Sequence, residues 1–178
     1  MDLNRFTEKA QEAVLASQKL AVKQSHQQVD VEHVFLALLD QEQGLAGPII
    51  EKAGGSPESL RRKVEQEIGR LPRVSGASGA PADQMYLTGR LNRLIVQAED
   101  EAKKLTDDFV SVEHLLLAMT DDGGATGRML KEAGVTRKTI MEALKEVRGH
   151  QRVTSQNPEV TYQALERYGR DLDRKSVV

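Results

Sequence analysis

Hydrophobic residues recur along the first half of the chain at spacings that predict four helices. From Thr7 to Lys23, apolar side chains return every three or four positions with polar residues between them, which is typical of a helix with one buried face. The next run follows Asp30 and is apolar nearly all round, so we expect a buried central helix. A third helix, over about 46–53, should end at Gly54, because glycine readily takes the left-handed conformation found at helix ends.

The fourth predicted helix opens with Ser56-Pro57-Glu58, a cap, a proline at the first helical position and an acid in the first turn. The plan then occurs again. VDVEHVFLALLD (29–40) is matched 81 positions later by VSVEHLLLAMTD (110–121), with seven of the twelve pairs identical. The pairing holds upstream, where Phe6-Thr7 meets Leu87-Thr88, and slips by one residue downstream. The second set of helices is therefore predicted near 88–105, 111–121, 126–133 and 136–148.

These patterns predict an all-α fold of two tandem four-helix repeats, eight helices in total, related by pseudo-two-fold symmetry. Repeat one covers 1–69 and repeat two covers 87–149. The connector 70–86 is rich in Gly, Ser, Ala and Pro. After repeat two, 150–178 reads as a polar linker and the start of a further helix with a narrow apolar edge, so we expect the chain to be the front of something longer.

Composition narrows the classes of function. The sequence has no cysteine, which excludes disulfides and thiolate metal sites and is compatible with a reducing, cytoplasmic setting. No secretory signal and no run of about 18 apolar residues is present, so no membrane association is expected. With 25 basic and 27 acidic side chains and no basic stripe interleaved with aromatics, nucleic acid is not an expected partner.

The duplicated pairs Glu32-His33 and Glu113-His114 are the first candidates for chemistry. Adjacent helical residues point about 100° apart and no third ligand has the right spacing, so neither pair predicts a metal site. Each acid can act electrostatically in the first turn of its helix, or can receive a cationic group of a ligand. Phosphate-binding loops, nucleophile elbows and cysteine nucleophiles are all missing from the sequence. We therefore expect no catalytic residue and no cofactor in this chain.

The remaining candidate is a groove between the repeats. Two like lobes have to meet, and the seam is expected to gather the first and second helices of both. Apolar side chains there, with acids at the rim, could receive an unfolded segment. In the first helix of repeat two, the candidates are Leu91, Leu94 and Ile95. One or two apolar anchors would give only weak, promiscuous binding.

Several motifs resemble those of the duplicated Clp amino-terminal domain. They are RFTEKAQ (5–11), VEHVFLALL (31–39) and VEHLLLAM (112–119), and the likeness covers residues 1–149. GRLPRVSG (69–76) and QRVTSQNPEVTYQALERYGRDL (151–172) are similar to the ClpB-type disaggregase branch of that family. In that branch the second of these segments is the linker that leads into an ATPase module.

The resemblance implies a module that engages unfolded or aggregated proteins for a hexameric, ATP- and Mg-dependent parent that works with the DnaK system, the fragment itself being monomeric. It also implies that Thr7, Asp107 and Glu113 bind substrate. In protease-linked relatives two acids grip a phosphorylated arginine, and Glu32 and Glu113 stand at those places. Adaptor or phosphoarginine docking therefore stays open as an alternative. A second alternative is a helical scaffold that binds nothing.

Overall fold

The computed structural model describes residues 2–73, 85–149 and 151–159. Eight α-helices dominate these ranges, as the sequence predicts, and a single 3-10 turn precedes them at Leu3–Arg5. The helices are α1 (Glu8–Lys23), α2 (Val31–Asp40), α3 (Ala46–Lys52), α4 (Pro57–Gly69), α5 (Gly89–Lys104), α6 (Val112–Thr120), α7 (Ala125–Glu132) and α8 (Arg137–Arg148). The predicted helix over 161–172 and most of the connector lie outside the described residues.

The helix starts follow the capping residues that the sequence provides. The hydroxyl of Thr7 accepts a hydrogen bond from the Ala10 amide at 3.3 Å, and that of Thr88 accepts one from the Leu91 amide at 3.1 Å. Such caps satisfy amides that have no partner inside the helix. At the other end, Gly54 and Gly134 take positive φ values of 97° and 76° directly after α3 and α7, where a side chain would be strained.

Two short parallel pairings, which the helical pattern does not indicate, join the repeats. Strand β1 (Gln28–Val29) pairs with β2 (Tyr86–Leu87), and Val29 lies opposite Leu87. Elsewhere Phe6 pairs with Val110. These positions correspond in the two repeats, since 6 and 87 differ by 81, as do 29 and 110. Each pairing therefore places the start of one repeat's first helix beside the approach to the other repeat's second helix.

The seam between the repeats is built differently from the expectation. It is formed chiefly by α3 against α8 and by α4 against α7, whereas the first helices α1 and α5 pack mainly against α2 and α6 of their own repeats. The helices α2 and α6 are buried on nearly every side and form the centre of the core. The pseudo-two-fold relation itself stays a prediction.

The corresponding glycines Gly47 and Gly127 give a matched test of the packing. A methyl group added at Gly47, inside α3, meets nothing within 4 Å, whereas one added at Gly127, in α7, collides with the backbone carbonyl of Asp122. We expect Gly47→Ala to stabilise the fold by roughly 0.5–1 kcal/mol through helix propensity. Gly127→Ala should destabilise it by about 1–3 kcal/mol through overpacking.

The measurement for this pair is the free energy of unfolding in urea. Because both changes add the same methyl group to a helical glycine, equal effects from the two variants would contradict the close approach of Asp122 to α7.

Candidate functional site

The histidine of each Glu-His pair caps its own helix. The imidazole Nδ1 of His33 accepts a hydrogen bond from the Asp30 amide at 2.9 Å, and Nδ1 of His114 accepts one from the Ser111 amide at 2.8 Å. Each histidine thus completes a reciprocal capping box with the residue that begins its helix. The histidines are therefore structural parts of the repeat, which leaves the acids beside them for binding.

The acid of repeat one, Glu32, is fully engaged by an arginine of repeat two. Both of its oxygens accept hydrogen bonds from Arg90, at 2.5 and 3.1 Å. The same guanidinium binds Asp122 through two bonds of 2.7 Å and reaches Asp30 at 3.2 Å. Arg90 lowers the pKa of Asp122, overcoming the opposing effect of burial. One guanidinium thus pairs with three carboxylates, which come from both repeats.

The acid of repeat two, Glu113, has a poorer environment. Its residue is fully buried, and neither of its oxygens has a hydrogen-bond partner among the described residues. The nearest cation is Arg148, whose Nη1 lies 3.4 Å from Oε1 of Glu113. Arg148 instead makes a two-pronged contact with Asp107, at 2.7 and 2.9 Å. Glu113 is therefore a buried carboxylate that retains unused acceptor capacity, which is costly unless something pairs with it.

Asp107 is the best connected carboxylate of this cluster. Besides Arg148, it accepts hydrogen bonds from Nε2 of His114 at 2.7 Å and from the Val153 amide at 2.9 Å. Burial alone would raise the pKa of Asp107, but the hydrogen bonds from His114 and Arg148 outweigh it and lower the pKa to about 2. Asp107 is therefore ionised at neutral pH and acts as a fixed acceptor for a backbone amide.

The chain's own residues 151–159, the docked segment, lie across this cluster. The Val153 carbonyl accepts a hydrogen bond from the Asp108 amide at 2.8 Å, and the Gln156 carbonyl accepts one from the Glu8 amide at 2.8 Å. Val153 is completely buried there. We call the surface formed by Thr7, Glu8, Asp107 and Asp108, with Glu113 in the same cluster, the docking surface. Residues 151–157 of the docked segment are non-helical, and the docking surface holds them mainly through hydrogen bonds to their backbone.

The docked segment ends in a second buried acid, Glu159. Its carboxyl accepts a hydrogen bond of 2.6 Å from the Thr7 hydroxyl, and the residue is only 1% exposed. Burial, reinforced by the negative charge of Glu113, raises the pKa of Glu159 to about 7. Two carboxyl groups thus share one buried region, and at neutral pH the second is close to half protonated.

The structure brings together three of the seven predicted site residues, Thr7, Asp107 and Glu113, on the docking surface. Glu32 lies apart from them in the Arg90 cluster. The three apolar candidates, Leu91, Leu94 and Ile95, are only 2%, 3% and 7% exposed and belong to the core of the fold. Packing against α6 covers them, so they do not line an open groove, although Leu94 borders a cleft beside Arg93 and Gln97.

Sequence reasoning did not identify Arg90, Arg148 or Glu159 as partners of the predicted acids. Arg90 lies three residues after the end of strand β2, in the first turn of α5, and it comes beside Glu32 only after the repeats have assembled. None of the helices in the described ranges combines the length and hydropathy of a membrane span. Over the same ranges, no group of three or more His, Cys, Asp or Glu side chains is arranged to hold a metal ion.

Comparison with known proteins gives a consistent picture. The model of the family described as "Clp repeat (R) N-terminal domain" matches residues 5–133. A chaperone protein ClpB of Bacillus anthracis is 48% identical over 172 residues, which is 97% of this chain and 20% of that protein. The chain thus spans about a fifth of the length of the curated relatives it matches.

Solved structures share the fold. The Hsp104 N-terminal domain of Candida albicans matches with a TM-score of 0.74 at 23% identity, covering 86% of this chain and 98% of that one. The N-terminal domain of the chaperone ClpD from Arabidopsis thaliana matches with a TM-score of 0.58 at 25% identity, covering 80% and 94%. These likenesses establish the fold.

The Arg90 cluster predicts a large effect on stability. Arg90→Ala leaves three carboxylates without their cation, and we expect a loss of roughly 2–4 kcal/mol, somewhat less than for a fully buried pair because the Arg90 side chain is 25% exposed. Arg61→Ala is the matched control, since Arg61 pairs with Asp40 at 2.5 Å on the surface and should matter little. Urea unfolding of both variants measures the difference, and similar losses would refute a special role for Arg90.

Glu159 predicts that docking of the segment depends on pH. Its pKa is about 7 when docked, above the ordinary value of 4.5, so protonation favours the docked form and docking weakens as pH rises through 7. Linkage gives about a tenfold loss of docking between pH 6 and pH 8. Hydrogen-exchange protection of the Val153 and Asp108 amides reports it. Glu159→Gln should remove this dependence, and a variant that kept it would show that another group is responsible.

Proposed function

Because this chain belongs to the Clp repeat (R) N-terminal domain family and is an N-terminal domain of the ClpB and Hsp104 type, we propose that it is the substrate-binding module of an ATP-dependent disaggregase. In this proposal it engages unfolded or aggregated polypeptides where the two repeats meet. The residues that carry the binding are Thr7, Asp107 and Glu113.

One observation carries the proposal, namely that the docking surface already holds a non-helical stretch of chain. The amide of Val153 donates to Asp107, its carbonyl accepts from the Asp108 amide, and the Gln156 carbonyl accepts from the Glu8 amide. Every polypeptide offers the same amides and carbonyls, so this kind of contact does not depend on the guest's sequence. An unfolded substrate could therefore reproduce the backbone hydrogen bonds of the docked segment, while the side-chain bonds of Arg152, Gln156 and Glu159 would be lost.

Glu113 gives a reason for such an exchange to be favourable. Its buried oxygens have no hydrogen-bond donor among the described residues, and Glu159 adds a second buried acid beside it. A guest that contributes an amide or a cationic side chain would supply the missing donor and would remove Glu159 from the site. We infer that the docked segment is a weak, displaceable occupant and that binding of substrates is correspondingly modest and promiscuous.

The parent protein supplies the remaining activity in this proposal. ATP and Mg would bind in ATPase modules that follow the N-terminal domain, and the parent would form a hexameric ring in the cytoplasm that works with the DnaK system. The fragment itself would be monomeric. Support for a chaperone parent comes from the ClpB relatives, of which this chain matches a fifth.

Phosphoarginine docking has less support than polypeptide binding. Both oxygens of Glu32 are already hydrogen-bonded to Arg90, which occupies the place that a ligand's guanidinium would take. A free phosphoarginine would have to displace an arginine that three carboxylates hold. The scaffold alternative makes the opposite prediction from polypeptide binding in the titration that follows.

Titration of the isotopically labelled chain with a permanently unfolded protein, such as reduced and carboxymethylated lactalbumin, tests the proposal. We expect saturable shifts of the amides of Glu8, Asp108 and Val153 as the docked segment is displaced. Glu113→Gln should weaken this binding about tenfold, because it removes a charged acceptor and relieves the repulsion that makes the docked segment displaceable.

Glu99→Gln is the matched control. Glu99 lies on α5 with its side chain 30% exposed, and it forms a long ion pair of 3.8 Å with Arg5. Equal losses from the two variants would leave only a generic effect of negative charge. No shift at the docking surface at any concentration would favour the scaffold alternative.

A further inference from the structure

A cleft of about 270 Å³ opens beside His26, on the approach to α2. It is smaller than the roughly 300–1,000 Å³ pockets that bury drug-sized ligands, so it suits a short stretch of chain. Polar and apolar groups from both repeats line it: His26, Gln27, Gln28, Asp30, His33, Leu71, Pro72 and Thr88. We call it the His26 cleft.

His26, which lines this cleft, has a buried ring nitrogen that makes no hydrogen bond among the described residues. Nδ1 of His33 accepts from the Asp30 amide, so the proton of neutral His33 is on Nε2. That proton is donated to Nδ1 of His26 across 2.9 Å, which leaves the proton of neutral His26 on its own Nε2. Nε2 of His26 is buried and has no partner in the described part of the chain.

Both histidines are neutral at physiological pH. Burial, together with the positive charge of Arg73, lowers the pKa of His26, and burial together with His26 lowers the pKa of His33 to about 4. The Asp30 amide therefore fixes the direction of the hydrogen bond between the two histidines. The last donor in this series is Nε2 of His26, a residue that is only 5% exposed.

The cleft corresponds in sequence to the docking surface of repeat two. His26 and Gln27 match Asp107 and Asp108 at a separation of 81, and Thr88 matches Thr7 at the same separation. Leu71 matches Gln151 at a separation of 80, which is the spacing of the helices before them. In repeat two these positions receive Val153, a fully buried residue of an extended segment.

The two places differ in the chemistry of one position. Asp107 is an acceptor and takes the Val153 amide, whereas His26 is a donor. The amide of Gln27 corresponds to that of Asp108, which donates to a carbonyl in repeat two. Repeat two thus offers an acceptor, Asp107, and a donor, the Asp108 amide. Repeat one offers two donors, His26 and the Gln27 amide, so a bound segment has to supply hydrogen-bond acceptors. The nearby Arg73 adds positive charge, while the carboxylate of Asp30 is already bonded to Thr88, the Val31 amide and Arg90.

We propose that the His26 cleft is a second polypeptide-binding site, which takes an extended segment carrying an Asp or Glu side chain, with the carboxylate accepting from Nε2 of His26 and from the Gln27 amide. The apolar flank of the segment packs on Leu71 and Pro72. This site is additional to the docking surface, and it rests on the proposed function only in that both bind extended chain.

The experiment uses the full labelled chain and two acetylated, amidated hexapeptides, AVEVTA and AVQVTA, which differ only in the central Glu or Gln. We expect AVEVTA to shift the Nε2 resonance of His26 and the amides of Gln27 and Leu71 saturably, with at least tenfold weaker binding of AVQVTA. Equal binding of the two peptides, or no shift at these nuclei up to millimolar concentration, would overturn the proposal.

Two substitutions separate the donor from the fold. His26→Phe fills a similar space without the donor and should lose binding at least tenfold, whereas His26→Gln keeps an N–H donor and should stay within about threefold of the parent chain. Loss of binding in both variants, with their amide spectra otherwise unchanged, would overturn the assigned donor. The Val153 and Asp108 resonances report the docking surface, so failure of the His26 cleft is distinguishable from failure of the proposed function.

Discussion

Two buried carboxylates at the start of the two central helices have to be neutralised, and much of the polar architecture follows from how this is done. Glu32 receives Arg90 from the other repeat, so its ion pair also ties the repeats together at the β1–β2 pairing. Because desolvating an unpaired carboxylate costs several kcal/mol, assembly of the repeats and neutralisation of Glu32 are one event. The acids of the doubled motif are thus part of the seam as well as of the helices.

The second carboxylate is only half neutralised, and this inequality gives the domain its asymmetry. The guanidinium of Arg148 donates hydrogen bonds to Asp107 and to the Gln151 carbonyl, and its Nη1 lies 3.4 Å from Oε1 of Glu113. The chain following α8 then covers the gap and brings Glu159 with it, and burial together with the negative charge of Glu113 raises the pKa of Glu159 to about 7. This difference between the two acids is what, in the proposed function, makes the docked segment of repeat two exchangeable.

The sequence was sufficient for the helices and insufficient for the site, for a physical reason. Local caps such as Thr7 and stops such as Gly54 act within one turn, so their positions can be predicted without a partner. The ion pair between Arg90 and Glu32 joins positions that are 58 residues apart in the sequence, and Arg148 lies 41 residues from Asp107 and 35 from Glu113. No local pattern encodes such pairs. The amphipathic stripe that contains Leu91 indicates a covered face without saying what covers it, and in the structure that cover is the core of the fold.

The two repeats differ in chemistry at positions where backbone from another part of the chain meets them. The core positions of α2 and α6 keep their apolar character, because packing constrains volume more than identity. His26 and Asp107 stand at one position and hydrogen-bond to equivalent histidines, yet one ends in a donor and the other in an acceptor. A single exchange at a conserved geometry is enough to invert what the position can bind, since the histidine behind it donates in both cases. We infer that this difference at one position distinguishes the proposed amide-binding surface of repeat two from the proposed carboxylate-binding cleft of repeat one.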